Sequence, residues 1–146
     1  MDAIVKSLDE HYQLIKTIYK DGVVVLFIES NQKVLLCPYC NVESTSIHSY
    51  QTREIQDLPI VDLKTVLIVS IRKMKCLNSK CSHKYFSEQL SFAQPRAQKT
   101  NRLIKRILHT SSEMSSVCSS KLLKDEKITV GKSTICNLIK KKHGNR

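Results

Sequence analysis

The sequence predicts an α+β chain in which a small antiparallel β module built around a metal is followed by three helices. Three observations predict it. Two cysteine pairs are each closed by a short loop, strand-forming residues lead into each pair, and three amphipathic segments further on hold most of the excess positive charge. The expected organisation is a β-rich module over residues 1–90, a linker at 91–98 and a helical module at 99–146.

Cys37-Pro38-Tyr39-Cys40 is answered by Cys76-Leu77-Asn78-Ser79-Lys80-Cys81. A tetrahedral ion takes two ligands from each of two tight knuckles, because a loop of two to four residues lets both sulfurs of a pair point at one centre. Lys33-Val34-Leu35-Leu36 and Leu67 to Met74 lead strands into the pairs, and polar turn-formers fill the gap between Cys76 and Cys81, which is how a zinc ribbon is built. Cys37, Cys40, Cys76 and Cys81 are therefore the expected ligands of a structural Zn2+, with disulfides or buried free thiols as the alternative. His48 and His83 are spare imidazoles beside a shell that four thiolates already complete.

A chain of 146 residues holds one ordinary domain or two small ones, and with aromatics at 5% and no Trp a single large core is not expected. Only three apolar residues separate Asp2 from Lys6, so the first residues do not read as a secretory signal. Thiols in a reducing cytoplasm more often hold metal than each other, so a cytoplasmic location is expected. No apolar run approaches the ~20 residues that cross a bilayer, and no membrane partner is expected. The net charge of +11 is uneven: residues 1–95 hold 11 Lys and Arg against 10 Asp and Glu, and residues 96–146 hold 13 against 3. Such asymmetry suits a polyanionic partner, with a solvated basic tail as the alternative.

In chain order, Leu14, Ile15 and Ile18 fall at helical spacing behind Asp9-Glu10 and predict a short helix between Leu8 and Tyr19. Asp21-Gly22 is a hairpin turn that needs positive φ, and Val23 to Ile28 is the strand after it. Ser30-Asn31-Gln32 turns the chain into Val34-Leu35-Leu36, giving a small antiparallel meander that ends at Cys37. Ser46 to Tyr50 and Arg53 to Leu58 read as two short strands, the second stopping at Pro59. Asp62 to Lys75 is the longest strand candidate, with Val66, Ile68, Ser70 and Arg72 on one face and Leu67, Val69 and Ile71 on the other. His83 to Glu88 closes the ribbon, with Tyr85 and Phe86 available to cover it.

Beyond Gln94-Pro95-Arg96, Thr100 or Asn101 caps a helix with Leu103, Ile104, Ile107 and Leu108 on one side and Arg102, Lys105 and Arg106 on the other. Thr110-Ser111-Ser112-Glu113 fits a capping box, Thr110 as N-cap, for a second helix that buries Met114, Val117, Leu122 and Cys118 and ends near Lys124. Ile128 to Gly131 connects it to a third helix with Ile135, Leu138 and Ile139 inward. Three short helices with a tight last turn form a helix-turn-helix candidate whose third helix is the reading element. Its outward residues are Lys132, Ser133, Thr134, Asn137, Lys140 and Lys141. Lysines and a helix start suit phosphate oxygens and Asn137 suits an adenine edge, while Arg102, Lys105 and Arg106 give backbone support. A plain amphipathic helix with a solvated lysine face is the alternative.

Gly131-Lys132-Ser133-Thr134 looks like the end of a phosphate-binding loop, but Glu126 stands where that motif wants glycine, so nucleotide hydrolysis is not expected. Cys118 and Cys136 fall on apolar helix faces and read as buried thiols.

The ordered set of Cys37-Pro38-Tyr39-Cys40, Asp57-Leu58-Pro59, Arg72-Lys73-Met74-Lys75-Cys76 with Asn78 and Cys81, and Tyr85-Phe86-Ser87-Glu88 resembles the zinc-binding N-terminal region of the ISL-three type of insertion-sequence transposases. Lys99-Thr100-Asn101-Arg102-Leu103 and Val130-Gly131-Lys132-Ser133-Thr134-Ile135 resemble the helix-turn-helix that follows it in that family. The resemblance runs over roughly residues 12–142. It implies binding of double-stranded DNA at the element's terminal inverted repeats, with catalysis by a later acidic-triad domain that uses divalent metal. The sequence stops at His143-Gly144-Asn145-Arg146, so no catalytic aspartate carries over and the expectation is a DNA-binding protein that is not an enzyme. Gly131 stands where the family often has a serine cap. The expected partners are duplex DNA and, on the protein side, a second copy of the chain or a full-length transposase. Competing readings are a standalone transcriptional regulator or transposition inhibitor, a protein–protein adaptor that uses the ribbon, and an RNA binder, the last weakened by the lack of closely spaced aromatics on a sheet.

Overall fold

The computed structural model describes residues 1–112 and 114–144. Helix α1 (Asp2–Leu8) precedes strands β1 (Tyr12–Lys20), β2 (Val23–Ser30), β3 (Leu35–Leu36), β4 (Glu43–Ser44), β5 (Ile47–Ile60), β6 (Leu63–Lys75) and β7 (Tyr85–Ser87). Helices α2 (Asn101–Ser111), α3 (Ser116–Asp125) and α4 (Lys132–Gly144) follow. The chain is α+β, as the sequence predicts.

β1 and β2 form a hairpin at the expected Asp21-Gly22 turn, with Asp21 and Gly22 both in left-handed backbone at φ of 50° and 77°, as a two-residue type I′ turn requires. The pairing overrides the helical spacing of Leu14, Ile15 and Ile18. Tyr12–Lys20 is strand, with Tyr12 buried edge-on against Phe92 at 5.2 Å, and the helix lies earlier at Asp2–Leu8.

The meander is corrected as well. β2 runs parallel to β6, from Val23 opposite Lys64 to Glu29 opposite Ser70, so the main sheet has the order β1-β2-β6-β5, with β7 paired to the end of β6. β3 leaves that sheet and pairs with β4. The two strands expected over 46–58 are one, β5, which at 14 residues exceeds β6 at 13. It continues past Pro59, which sits in the register shift between Asp57 and Ile60, where the ladder does not need the missing N–H.

Because strand faces alternate, β6 supplies two cores. Leu67, Val69 and Ile71, one of the two faces the alternation defines, are buried with Val5, Val24, Leu26, Ile28, Ile55 and Phe92. Met74, in the opposite alternation, is buried with Phe86 and Cys37 beside the other cysteines. A third core joins Leu103, Ile107, Leu123, Ile128, Val130 and Ile135, with Leu58 of β5 packed against it. The segment between sheet and helices lies along β5: Gln56 N–H donates to Gln98 O at 2.9 Å and Thr100 N–H donates to Gln56 O at 2.9 Å.

Thr100 caps α2 by accepting from Leu103 N–H, as expected. The start of α3 differs. Thr110 lies inside α2, and Ser115 is the N-cap, accepting from Cys118 N–H at 3.2 Å; Glu113 lies outside the described residues. The helix also packs with a different face inward from the one expected. Ser119 and Leu123 are buried, whereas Met114, Val117, Cys118 and Leu122 are exposed. In α4, Ile135 is buried and Leu138 and Ile139 pack against the same core, as predicted. Among the described residues no helix is long and apolar enough to cross a membrane.

Candidate functional site

The first knuckle follows β3. Cys37 N–H donates to Val42 O at 3.1 Å and Asn41 N–H to Cys37 O at 2.8 Å, with Asn41 in left-handed backbone at φ 59°. The second follows β6, where Cys76 N–H donates to Lys84 O at 2.8 Å and Cys81 N–H to Asn78 O at 3.1 Å. These two turns bring the four Sγ atoms within 4.8 Å of one another. Cys37 and Cys81 sulfurs are 3.9 Å apart and those of Cys40 and Cys76 are 3.6 Å apart.

Tetrahedral zinc with Zn–S of about 2.3 Å sets its sulfurs about 3.8 Å apart, whereas a disulfide requires about 2.05 Å. The donor set and its spacing fit Zn2+, and the alternative of disulfides is removed. The cofactor is a structural Zn2+ held by Cys37, Cys40, Cys76 and Cys81. The thiols are also electrostatically unequal. The backbone hydrogen bond from Val42 leads the causes that lower Cys40 to about 7. Against the backbone hydrogen bond from Asn78, which lowers it, burial and the neighbouring thiols push Cys76 up to about 12. Four thiols this close resist joint ionisation, and a dication is what makes four thiolates compatible. The two histidines lie outside this set. His83 stacks on Tyr39 with ring centres 3.5 Å apart, and His48 lies against Tyr85 at 4.4 Å.

The basic residues divide into two kinds. Arg102 leaves the expected DNA-contact set, because its guanidinium is committed to Asp57 inside the fold. Asp57, whose side chain is fully buried, accepts from Arg102 Nε at 2.8 Å, from Arg102 Nη2 and from Thr100 Oγ1 at 2.7 Å, while Arg102 Nη1 donates to Ser7 Oγ at 3.1 Å. The hydrogen bond to Asp57 raises the Arg102 pKa further. Arg106 faces Glu126 at 3.9 Å across solvent-exposed surface. Lys105, Lys132, Ser133, Thr134, Asn137, Lys140 and Lys141 are exposed, and none of these lysines has a carboxylate partner among the described residues.

Ile104 and Leu108, expected in the core, are half-buried and line a groove between α2, α4 and residues 94–99. Three cations that helical periodicity does not single out, Arg96, Lys99 and Lys142, stand along this groove with Lys105 and Lys141. Arg96 stands in a basic stretch beside Pro95, and Lys99 opens the Lys99-Thr100-Asn101-Arg102-Leu103 motif.

Residues 33–81 match the family model described as the zinc-finger of transposase IS204/IS1001/IS1096/IS1165. The match takes in all four cysteines and ends on Cys81, so the resemblance to the transposase zinc-binding region holds over that segment. No curated protein and no solved structure matches the chain.

Proposed function

We propose that the chain binds double-stranded DNA, with the zinc ribbon ordering one region and α2, α3 and α4 acting as a helix-turn-helix that makes the contact. The observation that carries this reading is the exposed cationic face of α4, without a carboxylate partner among the described residues: Lys132, Ser133, Thr134, Asn137, Lys140 and Lys141 are exposed while Ile135 holds the helix to its core. An exposed helix start suits phosphate, the lysines suit the flanking backbone, and Asn137 has the donor–acceptor pair that reads an adenine edge. The likeness of residues 33–81 to a transposase zinc finger favours element-end inverted repeats as the target. The role is binding rather than catalysis: recognition of element ends, or regulation or inhibition of transposition through the same sites, alone or beside a second copy or a full-length transposase.

The test is a salt titration of zinc-loaded protein on an inverted-repeat duplex and on a scrambled one. Tighter binding to the repeat, with a log–log salt slope near −0.9 for each phosphate contacted, supports the reading. Equal weak binding with a flat slope overturns it. The adaptor reading draws on a different observation, the exposed apolar side chains Leu36, Tyr39, Val42 and Leu77 around the knuckles. It requires salt-insensitive capture of a protein partner by the ribbon without DNA.

A further inference from the structure

The groove between α2, α4 and residues 94–99 has a volume of about 1380 Å³ and no Asp or Glu among the residues that line it. Five of its side chains are cations: Arg96 and Lys99 from the loop, Lys105 from α2, and Lys141 and Lys142 from α4. None is paired with a carboxylate among the described residues. Burial, and next the ammonium of Lys64, lower the Lys99 pKa, so an anion placed here relieves an existing repulsion.

The loop is held in place before any ligand arrives. Arg53 Nη2 donates to Gln94 O at 3.0 Å and to Ala97 O at 2.7 Å, Ala97 N–H donates to Gln94 O at 3.1 Å, and Gln98 O accepts from β5 at 2.9 Å. Arg96 projects from this tied turn in left-handed backbone at φ 63° and is exposed. On α4, Thr134, Leu138 and Lys141 face the groove, and at helical spacing Ser133, Asn137 and Lys140 form the adjoining stripe. A strand lying in the groove therefore borders whatever the second stripe enters.

We infer that the groove seats one sugar–phosphate strand of the duplex, with Arg96 and Lys99 contacting phosphates from the side opposite α4. This deepens the DNA-binding reading and rests on it. The loop between sheet and helices is then part of the interface, and α4 is inserted beside a strand clamped from both sides.

The experiment uses the full zinc-loaded chain and compares parent, R96A/K99A and R96Q/K99Q on the repeat and scrambled duplexes across a salt series. Among the described residues neither side chain makes a hydrogen bond or ion pair, so both variants should melt with the parent. Each should lose about two phosphate contacts, flattening the slope by about 1.8, so that affinity falls about tenfold less than the parent's between about 50 and 200 mM salt. The preference for the repeat should stay unchanged, while N137A, made as a control, should reduce that preference. Parent binding with an unaltered slope in both double variants overturns the clamp and leaves DNA binding standing. Absence of binding by the parent overturns the DNA reading itself, and the clamp with it.

Discussion

Around the cysteines the buried apolar cluster is Cys37, Met74 and Phe86, whereas beneath α2, α3 and α4 six aliphatic side chains are buried together. Full burial of an aliphatic side chain contributes about 1.5–3 kcal/mol, so packing contributes far more to the helices than to the ribbon. The ribbon is held from its centre by four sulfurs on one ion. The helices are held by packing and tied to β5 by the Asp57–Arg102–Thr100 cluster. The proposed contact follows the same division, with the cysteines serving order and the cations of the helices and the loop before them meeting the partner, although Lys33, Lys75, Lys80 and Lys84 around the knuckles are exposed as well.

The largest expected effect separates the two regions. Zinc removal, or Cys76→Ser, should abolish the ribbon, since a structural site of this kind contributes about 10 kcal/mol or more of binding free energy to folding. Zinc stoichiometry and ribbon proteolysis measure it; full thermal stability of Cys76→Ser under chelator would remove the zinc from the account. The next effects belong to the helices. Leu123→Ala should cost about 3 kcal/mol as a cavity in a closed core. Asp57→Ala should cost a similar amount, about 3 kcal/mol or more, by leaving Arg102 without its partner. Denaturant unfolding of zinc-loaded protein measures both, and a change under 1 kcal/mol for Asp57→Ala would show, at about the scale of an exposed pair, that the cluster does not tie sheet to helices. Val117→Ala, on the exposed face of α3, should stay within about 0.5 kcal/mol. If it costs as much as Leu123→Ala, the inward face of α3 has been assigned wrongly.

The smallest effect concerns Gly131, immediately before α4. A Cβ there meets nothing within 4 Å. Gly131→Ser should therefore fit, supply a cap and raise stability by a few tenths of a kcal/mol. A loss of stability would mean that the backbone at this position needs glycine for a reason other than space.

The metal site was legible because ligand spacing is a local property: two short loops decide where four sulfurs point. The Asp21-Gly22 turn and the alternation that sets Leu67, Val69 and Ile71 on one face of β6 were legible for the same reason, though not which face is buried. What escaped depends on long-range pairing. Leu14, Ile15 and Ile18 have helical spacing, but β2 stands ready across a tight turn and the strand wins. Nothing local announces that β2 runs parallel to β6, a pairing that separates β3 from the main sheet. In α3 the expected cap at Thr110 gave way to Ser115, and the burial of Ser119 and Leu123 rather than Val117, Cys118 and Leu122 is set by how the helix packs on its neighbours. Arg102 shows the limit most plainly: its spacing on α2 suits a cationic face, and only the fold places the buried Asp57 beside it.

The central claim is that zinc orders the ribbon while the sheet and helices stand on their own cores. Hydrogen exchange on the full chain, zinc-loaded and then chelated, tests it most directly. The account predicts that the amides of Cys37, Cys76 and Cys81 lose protection on chelation while those of Leu67, Ile107 and Ile135 keep theirs. Loss of protection at all six together, or at none, would contradict it.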